Sequence, residues 1–554
     1  MNVGNQSSKT LPTLMITNQS LSLVSTHFLS LTNRLLTHLT VSDHALPLLP
    51  ALLRRFTTLT TIKLTPYIKA DIDALLSQIA SFDLPSLHSL DISDQRPFPS
   101  DGLRQFSKKF PTLKSLCSHT LRPDLVLIAE CFPNLEEIHV GSIFVFSDAD
   151  LQVNGLTSGL KKLRKVDLSG IYKFQDSSMF TLCQNCVFLE ALVVHETDSL
   201  SKIGIANAIR QRPQLRSLSV ASDVTLELID ALVSLKFLTC LDLSCSSISD
   251  EALCALAEGD LPLRELDLYS CDGYGLGGIS CLLRKCNNLQ SLDLQSTEFL
   301  NDACVIELSL LLGNLNVVNL SENANLTDLS LFAIMRNCPL ITVIRMESAN
   351  VGKQKVEEDC LVVNSHVKFL NLARNWCLND ESVKMIASVC PNLEMIDLNH
   401  CRRVSKGAVE VLWRCCCKIQ CMDLALLGCE LSQFQFRVNF EVPTLFVLNL
   451  SWLSISNEEL SLISKSCYNL KELKLDYCDK ITASGVKQLV KNCKQLRRVS
   501  LYSCEKVSSD IVAWMVLARP SLRKITAPRY TPHSVHQRDH LLRHGCFVDW
   551  KECN

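Results

Sequence analysis

No stretch of this sequence stays apolar for the roughly 18 residues that a membrane-spanning helix needs, so a transmembrane protein is not expected. Nor does one sign of charge prevail. The formal net charge is −2, whereas a general binder of nucleic acid or membrane surfaces carries a clear basic excess. Neither partner is expected. The opening residues, MNVGNQSSKTLPTLMITNQSLSL, hold one lysine and no compact apolar core, which makes a poor signal peptide. Catalytic signatures are missing too. There is no phosphate loop ending in Gly-Lys-Ser/Thr, no Gly-x-Ser-x-Gly and no His-Glu-x-x-His. The 13 histidines follow no catalytic pattern. No enzyme activity and no cofactor are expected.

What is present is apolar residue and cysteine. Hydrophobic residues make up 47% of the 554 and charged ones 20%, ample for a packed core. The 27 cysteines are an odd number in a long chain without secretory signals. That points to reduced thiols, and so to the cytoplasm or nucleus.

The apolar residues recur in a fixed pattern. LKELKL at Leu470 aligns with LRRVSL at Leu496, LRKVDL at Leu163, LTCLDL at Leu238, LRELDL at Leu263, LQSLDL at Leu289 and LEMIDL at Leu393. LTTIKL at Leu59 and a weak LRKITA at Leu522 mark the ends, and about 19 units are readable. From Leu263 to Leu445 the starts step by 26 residues each time. Such self-similarity is the mark of leucine-rich repeats. In each unit the L-x-L alternation marks a short strand with one buried face. Apolar residues at helical spacing follow, as at Val486, Leu489, Val490 and Cys493. The expected fold is an α/β solenoid of parallel strands joined by helical crossovers. Strands stack about 4.8 Å apart and helices need about 8–10 Å, so the stack should bend with its strands inside. The expected form is a ribonuclease-inhibitor-like horseshoe, strands concave and helices convex.

The cysteines fall at two places in this repeat. Cys271, Cys401, Cys478 and Cys504 follow the strand, where other units have Asn323 and Asn375. Cysteine and asparagine exchange because both can bond buried backbone groups in a turn, and asparagine is a poor substitute for a zinc thiolate. Cys186, Cys286, Cys338, Cys390, Cys416, Cys467 and Cys493 end the helix, each as a small apolar residue facing the core. The close pair in CQNC (Cys183, Cys186) lacks a second pair at zinc-ribbon spacing. The cluster in RCCCKIQC (Cys415, Cys416, Cys417, Cys421) includes a core position and a strand position. No metal site is expected.

Two other features invite a functional reading. In GYGLGG, Gly273, Gly275 and Gly278 fit a dinucleotide fingerprint, with Glu298 20 residues on. But the unit keeps its 26-residue step, and a solenoid has no reversal of strand order where dinucleotides bind. It is read as a rim loop. Asp167, Asp242, Asp267, Asp293, Asp397 and Asp423 share one outward strand position. An acidic stripe would suit a basic partner, but Asn319, Asn371 and Asn449 share the position and Lys63, Arg345 and Lys474 break it. A preference of the repeat for short polar residues is the simpler reading.

Ahead of the repeats, in QSLSLVSTHFLSLTNRLLTHLTVSD, residues Leu21, Val24, Phe28 and Leu31 are spaced for one helix face. This stretch resembles the closing part of an F-box, which commonly reads like L-S-L-V-S/C-K-x-F. Cysteine-bearing units such as LDYCDKITASGVKQLVKNC also resemble those of plant F-box/leucine-rich-repeat proteins. The opening L-P-x-x-x-W-like helix of an F-box is missing, and LP at Leu11–Pro12 echoes it weakly. The resemblance implies docking to a Skp-type adaptor and a cullin through Leu21, Leu23, Val24 and Phe28, and a role as substrate receptor of an SCF-type ubiquitin ligase. A capping helix for the first repeat, on a scaffold without ligase linkage, is the alternative. The domain plan is then a truncated F-box-like cap over 1–43, the repeat solenoid over 44–527, and a C-terminal cap over 528–554 with Phe547 and Trp550 as apolar plugs.

A target protein should bind the strand face and the loops after the strands, which have no core duties. Aromatic and arginine side chains are the usual anchors of interfaces. The candidates are Tyr269, Tyr274, Arg345, Arg374, Trp376, His400, Arg402, Trp452, Tyr477 and Tyr502. Two units lose the helical pattern, over Glu347–His366 and Leu426–Pro443, and could hold binding loops. No association of the chain with itself is expected.

Overall fold

The computed structural model describes residues 35–43, 45–120, 123–141, 149–171, 174–195, 199–357, 361–428, 436, 438–528, 541 and 544–550. The chain forms two compact units, Met1–Leu263 and Arg264–Asn554. No helix among the described residues is long and apolar enough to cross a membrane.

In each unit one short strand per repeat lies parallel to the next. The first unit runs from His38–Val41, paired to Thr61–Leu64, up to Cys240–Asp242. In the second unit Glu265 pairs with Ser291, Ser291 with Val317 and Val317 with Val343, a step of 26 residues each time. The side-chain period of a strand is 2, so a one-residue slip would turn each buried leucine outward. Leu266, Leu292, Val318, Ile344, Leu370 and Ile396 are the middle residues of these strands, and all are buried. The leucine-rich-repeat expectation is thus met.

The helix of each repeat packs its apolar face on the strands. In Ala483–Asn492 that face is Val486, Leu489 and Val490. Polar side chains lock neighbouring helix starts together. Asp302, in the first turn of Asp302–Ser309, accepts from Thr327 N–H at 2.9 Å and from Thr327 Oγ1 at 2.7 Å in the next repeat. Asp380 does the same for Ser405. Asn457 accepts from Thr482 N–H at 3.0 Å, and the close approach requires Gly485, where a Cβ would lie 2.2 Å from Asn457 Oδ1. These anchors satisfy helix N-terminal amides that would otherwise have no partner.

The two irregular units lack a helix among their described residues, as their sequence implied. The helices on either side then meet directly. Ser382 Oγ donates to the buried Asp328 at 2.8 Å, 54 residues away, and Cys390 Sγ lies 3.8 Å from Met335 Sδ. At the second gap Lys406 Nζ reaches Glu459 at 2.7 Å, while Phe436 stacks on Trp413 at 5.6 Å between centroids.

Two boundaries differ from the sequence reading. His38–Val41 already belongs to the sheet, ahead of position 44. Phe547–Asp549 is a further strand, paired with Lys524–Thr526, so Phe547 extends the sheet and is not a plug. LTHLTV from Leu36 is an unnoticed copy of the repeat pattern, with Leu39 and Val41 buried, whereas FVD lacks it and pairing with a formed neighbour places it. Leu21, Leu23, Val24 and Phe28 lie outside the described residues.

Candidate partner-binding rim

The rim of the second unit is built by a turn that repeats after each strand. In several repeats the last strand residue is Asp or Asn, and its side chain accepts the N–H two residues on. Asp293 accepts from Gln295, Asn319 from Ser321, Asp397 from Asn399 and Asp423 from Ala425, at 2.9–3.2 Å. Asn serves as well as Asp because only an oxygen acceptor is required. The acidic stripe is therefore a set of turn caps.

Three residues past the strand the chain takes a positive φ. Ser270, Ser296, Glu322, Ser348, Arg374, His400, Leu426, Trp452, Tyr477 and Ser503 all lie between 52° and 66°. Non-glycine residues pay roughly 1–2 kcal/mol there. The turn holds them by a further ladder of backbone bonds: Arg374 N–H donates to Asn399 O at 2.7 Å, His400 N–H to Ala425 O and Trp452 N–H to Asp476 O at 2.8 Å. The next residue is buried, and in six of these repeats it is a cysteine or an asparagine. Cys401 Sγ donates to Leu372 O at 3.1 Å, Cys478 to Leu450 O at 3.3 Å and Cys504 to Leu475 O at 2.9 Å. Asn323 and Asn375 donate to Leu294 O and Met346 O at 2.8 and 2.7 Å. The exchange of the two residue types has the basis expected of it. Burial pushes the Cys401 and Cys504 thiols up to about 12, far from the thiolate a metal or nucleophile needs.

The residue at positive φ is held by its backbone, and its side chain is not one of the buried ones that brace the turn. Most repeats put a small or polar residue there. Trp452 and Tyr477 are bulky and are 50% and 37% exposed. Their rings stack with centroids 3.9 Å apart and planes at 12°. Tyr502 adds an edge-to-face contact with Tyr477 at 5.4 Å. A second group lies two and three repeats earlier, where the Arg402 guanidinium stands 4.9 Å over the half-exposed Trp376 ring. Arg374 Nε lies 3.6 Å from Glu347. Arg402 Nε is buried with no hydrogen-bond partner among the described residues.

The other candidates fall elsewhere. His400 is on the rim, half-buried. Arg345 ends the strand Val343–Arg345 and stands 5.4 Å from the Phe369 ring. Tyr269 is half-buried, its N–H held by Asp267. Tyr274 is a correction. It is 7% exposed, its ring meets Phe299 edge-on at 5.2 Å, and its hydroxyl lies 3.3 Å from Thr297 Oγ1. It packs between repeats and offers no surface to a partner. GYGLGG is the loop that lets this ring turn inward, and Gly275 precedes the helix Leu276–Lys285. The sequence pattern gave no sign of the positive φ, because alternation encodes burial and not backbone handedness.

Parallel strands repeating every 26 residues, many closed by an Asx turn and a buried cysteine or asparagine, define a leucine-rich-repeat protein. A leucine-rich-repeat family model matches residues 234–257 and 363–387. The chain is 24% identical over 460 residues to the BTB/POZ domain-containing protein FBL11 of Arabidopsis thaliana, across 73% of this chain and 46% of that one. It is 25% identical over 335 residues to the DNA repair protein RAD7 of Saccharomyces cerevisiae, across 56% and 54%. It is 38% identical over 55 residues to the F-box protein FBX14 of Arabidopsis thaliana, across 10% and 9%. Among solved structures, the yeast complex of Rad7 and Elc1 aligns with a TM-score of 0.43 at 19% identity, over 73% of this chain and 91% of that one. The chain spans about half or less of the length of the curated relatives it matches. The family model is of leucine-rich repeats, and one of the curated relatives is an F-box protein.

Proposed function

We propose that the chain is the substrate-recognition subunit of an SCF-type cullin ubiquitin ligase, binding its target protein on the rim and strand face of the second unit. The observation that carries the target site is the exposed stack of Trp452 and Tyr477, with Tyr502 beside it. Ser270, Ser296 and Ser348 fill the same turn position in other repeats, so the fold does not require aromatics there. Large aromatics on a rigid base lose little ordering entropy on binding. The F-box resemblance over Gln19–Asp43, with the match to an F-box protein, supports the adaptor role through Leu21, Leu23, Val24 and Phe28. In this reading the chain does no bond chemistry. It tethers a target so that its lysines meet the charged conjugating enzyme at raised local concentration.

Co-purification with a Skp-type adaptor tests the ligase half. Retention of the adaptor is expected. No retention, at concentrations where an intact F-box is retained, leaves a leucine-rich-repeat binding scaffold without ligase linkage. The double substitution Trp452→Ala/Tyr477→Ala tests the target half. It should abolish target capture and leave adaptor binding unchanged.

A further inference from the structure

The strands of the second unit carry an apolar row on the face turned away from the helices. Each strand buries its middle residue against the helices, so its first and third residues point the other way. The first residues of six successive strands are Val317, Val343, Phe369, Met395, Cys421 and Val447, and every one is half-buried. The register sets each beside the next, from Val317 against Val343 to Cys421 against Val447. Ser291 precedes the row at this position and Glu472 follows it. The fold does not require apolar residues there. In the first unit the same position reads Thr61, Ser89, Ser115, Glu137 and Lys165 in successive strands. Half-buried neighbours of this kind pack on one another across strands, but a contiguous apolar strip that the repeat does not need marks a contact surface.

The shape of the row selects its occupant. The third residues of these strands are polar, from Asn319 and Arg345 to Asp423 and Asn449. The row is therefore one side chain wide, and an occupant must cross the strands rather than follow them. Six strands about 4.8 Å apart make it about 24 Å long. A helix brings an apolar residue to one face every turn of about 5.4 Å, so five turns drift by only about 3 Å against the strands. An extended chain repeats on one face every ~6.7 Å and drifts by roughly 10 Å over the same length. Charge fixes one end. Asp423, beside Cys421, receives Asn449 Nδ2 at 2.9 and 3.0 Å and the Ala425 N–H at 3.1 Å. These donors are neutral, so its negative charge favours a cation brought by the occupant.

We propose that this row seats an amphipathic helix of the target protein, lying across the strands with its apolar stripe on the row and a lysine or arginine over Asp423. The site rests on the reading of the chain as a target receptor and gives the target a form, but it needs no adaptor.

The probe is a labelled peptide of about 18 residues, long enough to cover the row as a helix, with leucine at every third or fourth position and lysine and glutamine between. A second peptide of the same composition places its leucines at alternate positions, the strand pattern. In fluorescence anisotropy with the full chain the first should bind, and the second about tenfold more weakly or not at all. Val343→Thr/Met395→Thr installs the residue type of Thr61, which suits a strand, and should weaken binding of the first peptide about tenfold. Asp423→Asn installs the residue type of Asn449, which keeps the turn, and should weaken it about threefold, with no loss for a peptide whose lysines are replaced by glutamine. Equal binding of the two peptides overturns the proposal, as does parent-like binding by Val343→Thr/Met395→Thr; the peptide comparison decides if that variant does not fold. Parent-like binding of the lysine peptide by Asp423→Asn overturns the placing of the cation. A chain that binds the first peptide through the row and retains no adaptor supports the site while rejecting the ligase reading.

Discussion

The turn asparagine offers the sharpest test of how the repeat is held. Asn375 is fully buried. Its Nδ2 donates to Met346 O at 2.7 Å and to Leu372 O at 2.9 Å, and its Oδ1 accepts from Val351 N–H at 3.0 Å. Changing it to cysteine, the residue the next repeat uses, should keep one donor for Met346 O. Leu372 O keeps a donor in Cys401 Sγ. What is lost is the acceptor for Val351, whose amide is then buried without a partner. That costs about 2 kcal/mol. Asn375→Ala also removes the donor to Met346 O and should cost about 3–4 kcal/mol. Repeat stacks open locally, so the local readout is amide exchange. The Val351 amide should exchange about 30-fold faster in Asn375→Cys, matching 2 kcal/mol, and urea melts should fall in the order parent, Cys, Ala. An Asn375→Cys variant within about 0.5 kcal/mol of the parent, with Val351 still protected, would refute the hydrogen-bond account of the exchange.

Three further outcomes follow from the same geometry. At pH 8 iodoacetamide should modify the exposed Cys245, Cys415 and Cys417 in the folded chain, while Cys401 and Cys504, their thiols near 12 and buried, react only after denaturation; peptide mass mapping separates the two sets. Burial alone would raise the Asp242 carboxyl, but hydrogen bonds from His195, Ser219 and Ser244 outweigh it and hold the group at about 2, below the ordinary 3.8. A depressed carboxyl stabilises the fold above its unfolded value, so it should contribute about 2 kcal/mol at neutral pH and lose it as pH falls from about 4 to 2; Asp242→Asn should flatten that part of the acid-unfolding curve. Glu459 is 5% exposed and takes Lys406 Nζ at 2.7 Å, Phe436 N–H at 3.0 Å and Ser456 N–H at 2.9 Å. Glu459→Leu should cost about 3–5 kcal/mol by thermal or urea melts, and adding Lys406→Met should recover only part, because the two amides stay unpaired.

Much of this was legible in the residues because burial has a short period. The 26-residue step from Leu263 onward gave strand register, helix face and the two helix-less units. The cysteine–asparagine exchange was legible because hydrogen-bonding capacity is a property of the side chain itself. What stayed hidden depends on the neighbour. FVD at Phe547–Asp549 carries no repeat signature, and it is a strand because it has a formed strand to pair with. Tyr274 counted as a rim residue by position, yet glycines on either side let its ring reach Phe299.

The division of labour within the turn explains why binding residues concentrate where they do. Where the strand ends in Asp or Asn, that side chain is committed to a backbone amide, and where a cysteine or asparagine lies beyond, it is committed to a backbone carbonyl. Replacing either leaves a buried polar group unpaired, at about 1–3 kcal/mol each. The residue at positive φ carries no such tie, and its strain is similar for serine or arginine. Side-chain identity there can change from repeat to repeat without loss of the fold. A tryptophan at φ 66° and a tyrosine at φ 60° in adjacent repeats are therefore poorly explained by folding. Bulky side chains are the ones this conformation suits least, and both keep large exposed apolar area. Strain that the scaffold tolerates without needing it points to selection for contact with something outside the chain.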